Sequence, residues 1–306
     1  MEHILSLSYG KDSLACLGAI EQLGWPLDRL VHAEVWATDD IPADLPPMIE
    51  FKKKADKIIK KRWGIEVEHI CATTIYKSDP GCDTFEKGFY HTTENTKFKG
   101  NIKGWPMQIN PWCNKLKINP LGKIEKKKTY EDLFYTKWGK RSEKSGQIYG
   151  WPMVNGNACT SQLKTNVIKK NLKDVIQYLG IAADEPKRFH DLTDTKKSPL
   201  VEAGWTEAMC REWCIQNDLL SPIYTTSTRG GCWFCHNQGI DQLRQLRHNY
   251  PNLWKLMLKW DSDSPVPFKP DGHTVHDFDR RFLYEDLDMV PKDRKFRWKM
   301  IEGDDK

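Results

Sequence analysis

Apolar positions in the N-terminal part of the chain alternate between short continuous runs and stripes with helical spacing. The runs predict strands over residues 4–7, 31–37 and 65–70, and the stripes predict helices over residues 12–24 and 47–63. Strands that alternate with helices in this way form parallel sheets through right-handed crossovers. The pattern therefore predicts an α/β fold built on a doubly wound parallel sheet.

The C-terminal part of the chain combines helical patterns with cysteines. Apolar spacing predicts helices over residues 205–217 and 240–260, the second interrupted near Pro251. Four of the cysteines lie in this part: Cys210, Cys214, Cys232 and Cys235. We therefore expect an α/β domain over residues 1–200 and a cysteine-containing helical region over residues 201–306 that closes the site of the first domain.

Composition favours a globular protein of the cytoplasm. Hydrophobic residues make up 39% of the chain and charged residues 29%, with a formal net charge of +5. The N-terminus lacks the charged and apolar segments of a signal peptide, and no apolar stretch approaches the roughly 20 residues of a membrane span. We therefore expect no membrane partner. In a cytoplasmic protein, nine cysteines indicate metal binding or catalysis more than disulfides.

The segment between the first predicted strand and helix has the residue types of a phosphate-binding loop. It runs Ser8-Tyr9-Gly10-Lys11-Asp12-Ser13. A helix N-terminus presents unpaired N–H groups and a positive dipole end, and both attract phosphate. Gly10 permits close backbone approach, Lys11 supplies a cation, and Asp12 is able to cap the helix or orient a metal. An ordinary capped turn is the alternative.

The Ser-x-Gly-Lys-Asp-Ser pattern directly after the first strand resembles the PP-loop of the adenine nucleotide α-hydrolase and phosphoadenosine phosphosulfate (PAPS) reductase superfamily. Tyr9 stands where many relatives have a second glycine. The loop is not a Walker A motif, because that motif needs two glycines with four residues between them before its Lys-Ser/Thr pair. The resemblance implies ATP or PAPS as the nucleotide, with Mg²⁺. The implied nucleotide contacts are Ser6, Ser8, Tyr9, Gly10, Lys11, Asp12, Ser13, Thr38 and Asp39.

Thr38 and Asp39 enter that set by their position. They follow the second predicted strand, where an acidic residue of a doubly wound fold meets the ribose or the base. Asp40 is the other acidic candidate at this position, and a solvated loop acid is the alternative for either residue. The helix predicted next, over residues 47–63, carries a basic face formed by Lys52, Lys53, Lys60 and Lys61.

The middle of the chain contains an internal duplication. Residues 84–117 and 129–164 share Gly-Trp-Pro-Met followed six residues later by cysteine, which is Cys113 in the first copy and Cys159 in the second. The run Cys159-Thr160-Ser161-Gln162-Leu163-Lys164 resembles the superfamily's Cys-Thr-x-x-Leu-Lys element, and the first copy is one residue shorter. We therefore expect the second copy to be the working site and the first a degenerate copy or a lid.

The cysteines offer metal-ligating patterns. Cys232 and Cys235 form a Cys-x-x-Cys pair after a glycine turn, which suits a redox disulfide or half of a metal site. Cys210 and Cys214 are four residues apart on a predicted helix, so both are expected to face one point. Thiolates from separated segments suit an iron–sulfur cluster or an all-cysteine zinc site.

The resemblance favours a [4Fe–4S] cluster, because sulfonucleotide reductases and DNA phosphorothioation proteins of this superfamily carry one. It implies Cys159, Cys232 and Cys235 as ligands, and we take Cys214 as the fourth. Cys210 and Cys113 are the reserves. For the reaction itself we assign Lys11, Asp12 and Arg229, which is the cation beside the cysteine turn. Arg188, Lys196 and Lys197 are further candidates for binding an anion.

The resemblance leaves two reactions and one non-enzymatic role. ATP cleavage to AMP and pyrophosphate with sulfur transfer is favoured over sulfonucleotide reduction, because no cysteine follows Cys235 to act as the reductase nucleophile. A nucleotide-binding module with a structural metal is the third alternative. The sulfur donor and acceptor stay open, with tRNA, DNA and small molecules as options, and so does the formation of a homodimer.

Overall fold

The computed structural model describes residues 1–76, 124–151, 158–172, 174–225 and 231–301. The chain divides into two compact units, one formed by Met1–Ala72 with Thr129–Lys306 and the other by Thr73–Lys128. The expected domain boundary near residue 200 falls within the larger unit. The first copy of the internal duplication lies outside the described residues.

Two strands make up the described part of the smaller unit. Strand β4 (Thr73–Tyr76) pairs antiparallel with strand β5 (Ile124–Lys127).

The larger unit contains a five-stranded, all-parallel sheet in the order β3-β2-β1-β6-β7. Its strands are β1 (Glu2–Ser6), β2 (Arg29–Glu34), β3 (Val67–Cys71), β6 (Val175–Tyr178) and β7 (Lys196–Lys197). The predicted α/β class and parallel sheet are therefore confirmed, and the strand order is compatible with a doubly wound fold. The first strand lies inside the sheet, so the chain extends from it in one direction through β2 and in the other through β6.

Helices in the described residues occupy the following positions: α1 (Lys11–Leu23), α2 (Pro46–Trp63), α3 (Tyr130–Phe134), α4 (Ala158–Thr160), α5 (Asn166–Asn171), α6 (Pro199–Glu202), α7 (Glu207–Gln216), α8 (Ile240–Asn249), α9 (Pro251–Asp263) and α10 (Val275–Asp286). A π-helical turn over Ser161–Thr165 connects α4 to α5. Both predicted N-terminal helices begin and end within one residue of the prediction. Pro251 separates α8 from α9, as the sequence predicted. No helix in the described ranges has both the length and the apolar character needed to cross a membrane.

Two hydrophobic clusters stabilise the larger unit. One surrounds α1 and α2 and includes Cys210 and Cys214 of α7. The other is aromatic, and it contains Tyr130, Trp233 and Trp260 together with apolar residues of α8, α9 and α10. The rings of Trp233 and Trp260 stack with centroids 5.7 Å apart. The indole N–H of Trp233 donates to the Pro42 carbonyl at 2.9 Å, so the buried ring leaves no unpaired donor.

Candidate functional site

The loop between β1 and α1 lies at the point where the sheet changes direction. Because β1 is flanked by β2 and β6, the carboxyl ends of β1 and β6 border the crevice in which open α/β sheets bind ligands. Ser8 and Ser13 close the loop. The Ser8 N–H and hydroxyl donate to Ser13 Oγ at 3.1 and 3.0 Å, and Ser13 Oγ donates to the Gly10 carbonyl at 3.0 Å. The sequence placed this loop correctly.

Tyr9 adopts a left-handed backbone conformation, with φ of 58°, and the residue is wholly buried. Its hydroxyl donates to Asp56 on α2 and lies 3.2 Å from Nε2 of His69 on β3. The phenol hydroxyl is thus occupied by contacts with Asp56 and His69. Tyr9 therefore contributes its left-handed backbone conformation to the loop. Left-handed backbone is uncommon for a bulky residue and is sustained by surrounding contacts.

Lys11 and Asp12 form a charged group at the start of α1. The Lys11 ammonium contacts the Asp12 carboxylate at 2.8 Å and Glu207 of α7 at 3.1 Å, and the Lys11 N–H donates to the Tyr224 hydroxyl at 3.1 Å. Burial disfavours the ammonium, but its hydrogen bonds to the two carboxylates outweigh burial and raise the pKa of Lys11. Burial also raises the pKa of Asp12. The lysine is therefore charged and already positioned.

These residues line a cavity of about 850 Å³, which we call the loop cavity. All seven loop-region residues predicted as nucleotide contacts border it: Ser6, Ser8, Tyr9, Gly10, Lys11, Asp12 and Ser13. Arg188, a predicted anion ligand, also borders it and is paired with Glu185 at 3.0 Å. Cavities of roughly 300–1,000 Å³ accommodate ligands of nucleotide size. The geometry therefore provides a polar cavity at a helix N-terminus, lined by both basic and acidic side chains.

Thr38 and Asp39 are not among the residues that line the loop cavity. Strand β2 ends at Glu34, earlier than predicted, and residues 35–43 then fold back on themselves through a bridge between Trp36 and Pro42. Thr38 and Asp39 occupy the tip of this turn, where the Ile41 N–H donates to Thr38 Oγ1 at 3.1 Å. The carboxylate that does border the cavity after this turn is Asp44.

Lys52 is a functional candidate that the sequence pattern did not single out. We expected it on a basic surface of α2, but it is buried and lines the loop cavity. Its ammonium donates to Asp44 at 2.5 Å and to Nε2 of His32 at 2.7 Å, while His32 Nδ1 donates to the Leu7 carbonyl at 2.8 Å. Burial and the neighbouring Lys52 lower the pKa of His32 to about 4. A neutral imidazole thus accepts a hydrogen bond from a buried cation.

Gly180 was also missed. It follows β6, and a Cβ atom there would lie 2.7 Å from the backbone nitrogen of Ser13. Only glycine therefore allows the end of β6 to pack directly against the N-terminus of α1. Gly180 and Ser13 are 167 positions apart in the sequence, so no local sequence pattern predicts their contact.

A second cavity, of about 150 Å³, holds three of the predicted metal ligands; we call it the cysteine cavity. Cys159, Cys232 and Cys235 all line it. Burial raises the pKa of Cys159, and it raises that of Cys232 to about 12. Cys159 and Cys232 are therefore thiols, and each would have to lose its proton to bind a metal.

Local structure holds these cysteines in place. Cys159 lies in α4, one residue before Thr160 leads into the π-helical turn, a rare feature that is frequent at functional sites. The Cys235 N–H donates to the Cys232 carbonyl at 3.0 Å, which closes the Cys-x-x-Cys turn. The Lys269 ammonium donates to the carbonyls of His236 and Gln238 at 2.5 and 2.6 Å and anchors the residues that follow.

The structure does not bring Cys214 to these three cysteines. It is fully buried in the cluster around α1, and its thiol donates to the Lys11 carbonyl at 3.3 Å. Cys210 is buried in the same cluster, so the two cysteines of α7 face the same side, as predicted. That side packs into the hydrophobic cluster around α1 and not into the cysteine cavity. Among the described residues, no group of three or more His, Cys, Asp or Glu side chains has the arrangement of a metal site. Arg229 and Cys113 lie outside the described residues.

The two cavities share part of their lining. Val35, Lys164, Gly231 and Cys232 border both the loop cavity and the cysteine cavity. A ligand in one therefore lies next to a ligand in the other.

Fold and site together define an α/β protein with a polar cavity at a helix N-terminus that adjoins a cavity lined by cysteines. In comparisons with known proteins, no family model, no curated protein and no solved structure matches this chain. A functional assignment rests on the chemistry of the two cavities.

Proposed function

We propose that this chain binds an adenine nucleotide in the loop cavity and uses it for sulfur chemistry at the cysteine cavity. The observation that carries the proposal is the shared lining, in which Cys232 and Lys164 border both cavities. It supports a single site with a nucleotide part and a sulfur part. It thereby supports the resemblance to PP-loop enzymes of the PAPS reductase superfamily.

Phosphate binding follows from the loop itself. The N-terminus of α1, the Lys11 ammonium and the buried Lys52 ammonium present positive charge to one cavity. Asp12 and Glu207 hold Lys11 in place, and a phosphate that enters would compete with them for its ammonium. Charge-assisted hydrogen bonds of this kind are worth about 1.5–3 kcal/mol each.

The proposed reaction is cleavage of ATP between its α and β phosphates. An oxygen of the acceptor attacks the α-phosphorus, and pyrophosphate leaves with the electron pair of the broken bond. A sulfur nucleophile then displaces AMP from the adenylated acceptor. Lys11 and Lys52 would bind the phosphates, Mg²⁺ would neutralise them further, and Lys164, at the boundary of the cavities, would offset charge that forms next to sulfur.

The cysteine cavity supplies donors of the kind that an iron–sulfur cluster uses, and in the described structure they are not arranged as a metal site. Three thiols line it, and the buried Gln238 Oε1, which also borders it, has no hydrogen-bond partner in the described structure. Cys159, Cys232 and Cys235 would hold three irons of a [4Fe–4S] cluster, and no fourth cysteine is among the described residues that line the cavity. When bound, the cluster supplies electron transfer or an open iron for a sulfur ligand.

Nucleotide titration tests the loop cavity. We expect the wild-type protein to bind ATP with Mg²⁺ and to release AMP and pyrophosphate, and Lys11→Met to bind at least about tenfold more weakly through the lost charge-assisted bond. Lys255→Met is the matched control, since Lys255 is an exposed lysine of α9 outside the cavity lining. The proposal would be refuted if the wild type bound neither ATP nor PAPS. It would also be refuted if the two variants lost the same amount of nucleotide affinity. Binding of PAPS alone would favour the reductase alternative.

A further inference from the structure

Tyr130 lines the cysteine cavity, and its hydroxyl is buried. The residue is only 2% exposed, and its hydroxyl has no hydrogen-bond partner among the described residues. Buried polar groups in native proteins are nearly always bonded, so an orphaned hydroxyl in a cavity wall points to a missing partner in that cavity. Tyr130 thus differs from Tyr135, five residues on, whose hydroxyl donates to Asp263 at 2.5 Å.

The ring of Tyr130 is fixed by its surroundings. The residue is the first of α3, directly after Thr129, whose side chain and that of Asp132 cap the helix reciprocally. Its ring packs on Phe234 with centroids 4.1 Å apart and on Trp260 at 5.3 Å. The hydroxyl therefore cannot swing away to find another partner without disrupting the aromatic cluster.

The chemistry of the hydroxyl limits what the partner is. Burial raises the pKa of Tyr130 well above its usual value, and the nearby Cys159, Cys235 and Cys232 raise it further. The phenol is therefore neutral and able to donate a hydrogen bond, and the thiols of Cys159, Cys232 and Cys235 line the same cavity. A hydroxyl donor beside thiolates or sulfides forms an O–H···S bond that stabilises negative charge on sulfur.

We infer that Tyr130 donates its hydroxyl proton to a sulfur of the metal-loaded cysteine cavity. It is a positioning residue: it orients and stabilises the thiolate-held group without itself binding metal. The inference rests on the proposed function, because the acceptor forms only when the cavity holds a metal and its thiolates. It adds a residue outside the cysteine ligand set.

The test compares Tyr130→Phe with the matched control Tyr135→Phe, before and after anaerobic reconstitution with ferrous iron and sulfide. Without metal, Tyr130→Phe should melt at the wild-type temperature or higher, since it removes an unpaired buried hydroxyl, whereas Tyr135→Phe should melt lower. After loading, Tyr130→Phe should gain less in melting temperature than the wild type. Its midpoint potential should also be more negative, because a hydrogen bond to sulfur is lost. Tyr135→Phe should keep the wild-type potential.

The outcomes distinguish failure of the role of Tyr130 from failure of the proposed iron–sulfur cluster. If the wild type loads iron but Tyr130→Phe keeps the same potential and the same gain in melting temperature, the role of Tyr130 is refuted while the cluster stands. A metal-free Tyr130→Phe that melts well below the wild type would also refute it, since the hydroxyl would then have a partner in the protein. If the wild type takes up no iron, the cluster and the inference fall together, and the wild-type arm alone shows this.

Discussion

Gly180 lines the loop cavity at the point where the end of β6 touches the backbone of α1. In Gly180→Ala the added methyl would lie 2.7 Å from the Ser13 nitrogen, so α1 or β6 must shift. We expect about 1–3 kcal/mol lower stability, as for other overpacked sites. We also expect ATP to bind at least about tenfold more weakly, since the shift displaces the N–H groups that face phosphate.

Gly139→Ala is the control for that substitution, because a Cβ atom at Gly139 meets nothing within 4 Å and the backbone there is not left-handed. Denaturant unfolding and nucleotide titration on both variants make the comparison. Wild-type affinity in Gly180→Ala would show that the contact with α1 does not shape the site.

His69 gives the protein a pH-dependent contribution to stability. Its hydrogen bonds to Asp56 and Glu34 raise its pKa to about 9, against about 6.5 in an unfolded chain. A raised pKa means that the stabilisation is complete below pH of about 6.5 and is lost as the pH rises through about 9. We therefore expect the free energy of unfolding of the wild type to fall over this window more steeply than that of His69→Gln. Urea unfolding at several pH values measures the difference.

His190→Gln serves as the reference for that series, since His190 is exposed. Parallel pH profiles for the wild type and His69→Gln would contradict the role of the Glu34–His69–Asp56 arrangement beside Tyr9.

At the scale of single residues, the sequence predicted what a local motif can encode. Ser8, Gly10 and Lys11 follow one another in a recognisable loop, so their shared cavity was predictable. Lys52 was expected only as part of the basic face of its helix. Its burial was not predicted, because the pairing with His32 and Asp44 depends on two other segments of the chain. Thr38 was expected at the nucleotide because the early end of β2 and the turn after it leave no periodic signal.

At the scale of elements, helix α1, which begins at the phosphate-type loop sequence, is held in place by packing against α7. A Cβ atom at Gly18 of α1 would overlap the indole of Trp213 on α7, so the glycine admits the tryptophan. We expect Gly18→Ala to lower stability by about 1–3 kcal/mol through overpacking. The double variant Gly18→Ala/Trp213→Phe should recover part of that loss, because the smaller ring makes room. Additive losses in denaturant unfolding would contradict direct contact.

The elements themselves were predicted well where periodicity is strong. Helices α1, α2 and α7 and the parallel strands β1, β2 and β3 follow their apolar patterns. Strand β7 has only two residues, and the π-helical turn after Cys159 depends on a single extra residue within a helix, so neither has a periodic signal. The smaller unit was not predicted as a separate body.

At the scale of the whole molecule, the fold places the loop cavity and the cysteine cavity side by side. Cys159 and Cys232 are 73 positions apart in the sequence, and the fold brings them to one cavity that adjoins the loop. The sequence predicted that Cys159, Cys232 and Cys235 would lie together, and they line one cavity. It also placed Cys214 with them, and the structure places Cys214 elsewhere. A position on a helix indicates which side of α7 a residue faces, but it does not indicate which hydrophobic cluster that side packs into. That cluster is the one around α1.

The most direct test is the iron content of four single variants after anaerobic reconstitution: Cys159→Ala, Cys232→Ala, Cys235→Ala and Cys214→Ala. We predict about four irons per wild-type chain, as in a cubane cluster, loss of iron in the first three variants, and wild-type iron in Cys214→Ala. A wild type that binds no iron would contradict the account. So would a Cys214→Ala variant that loses its iron while the other three retain theirs.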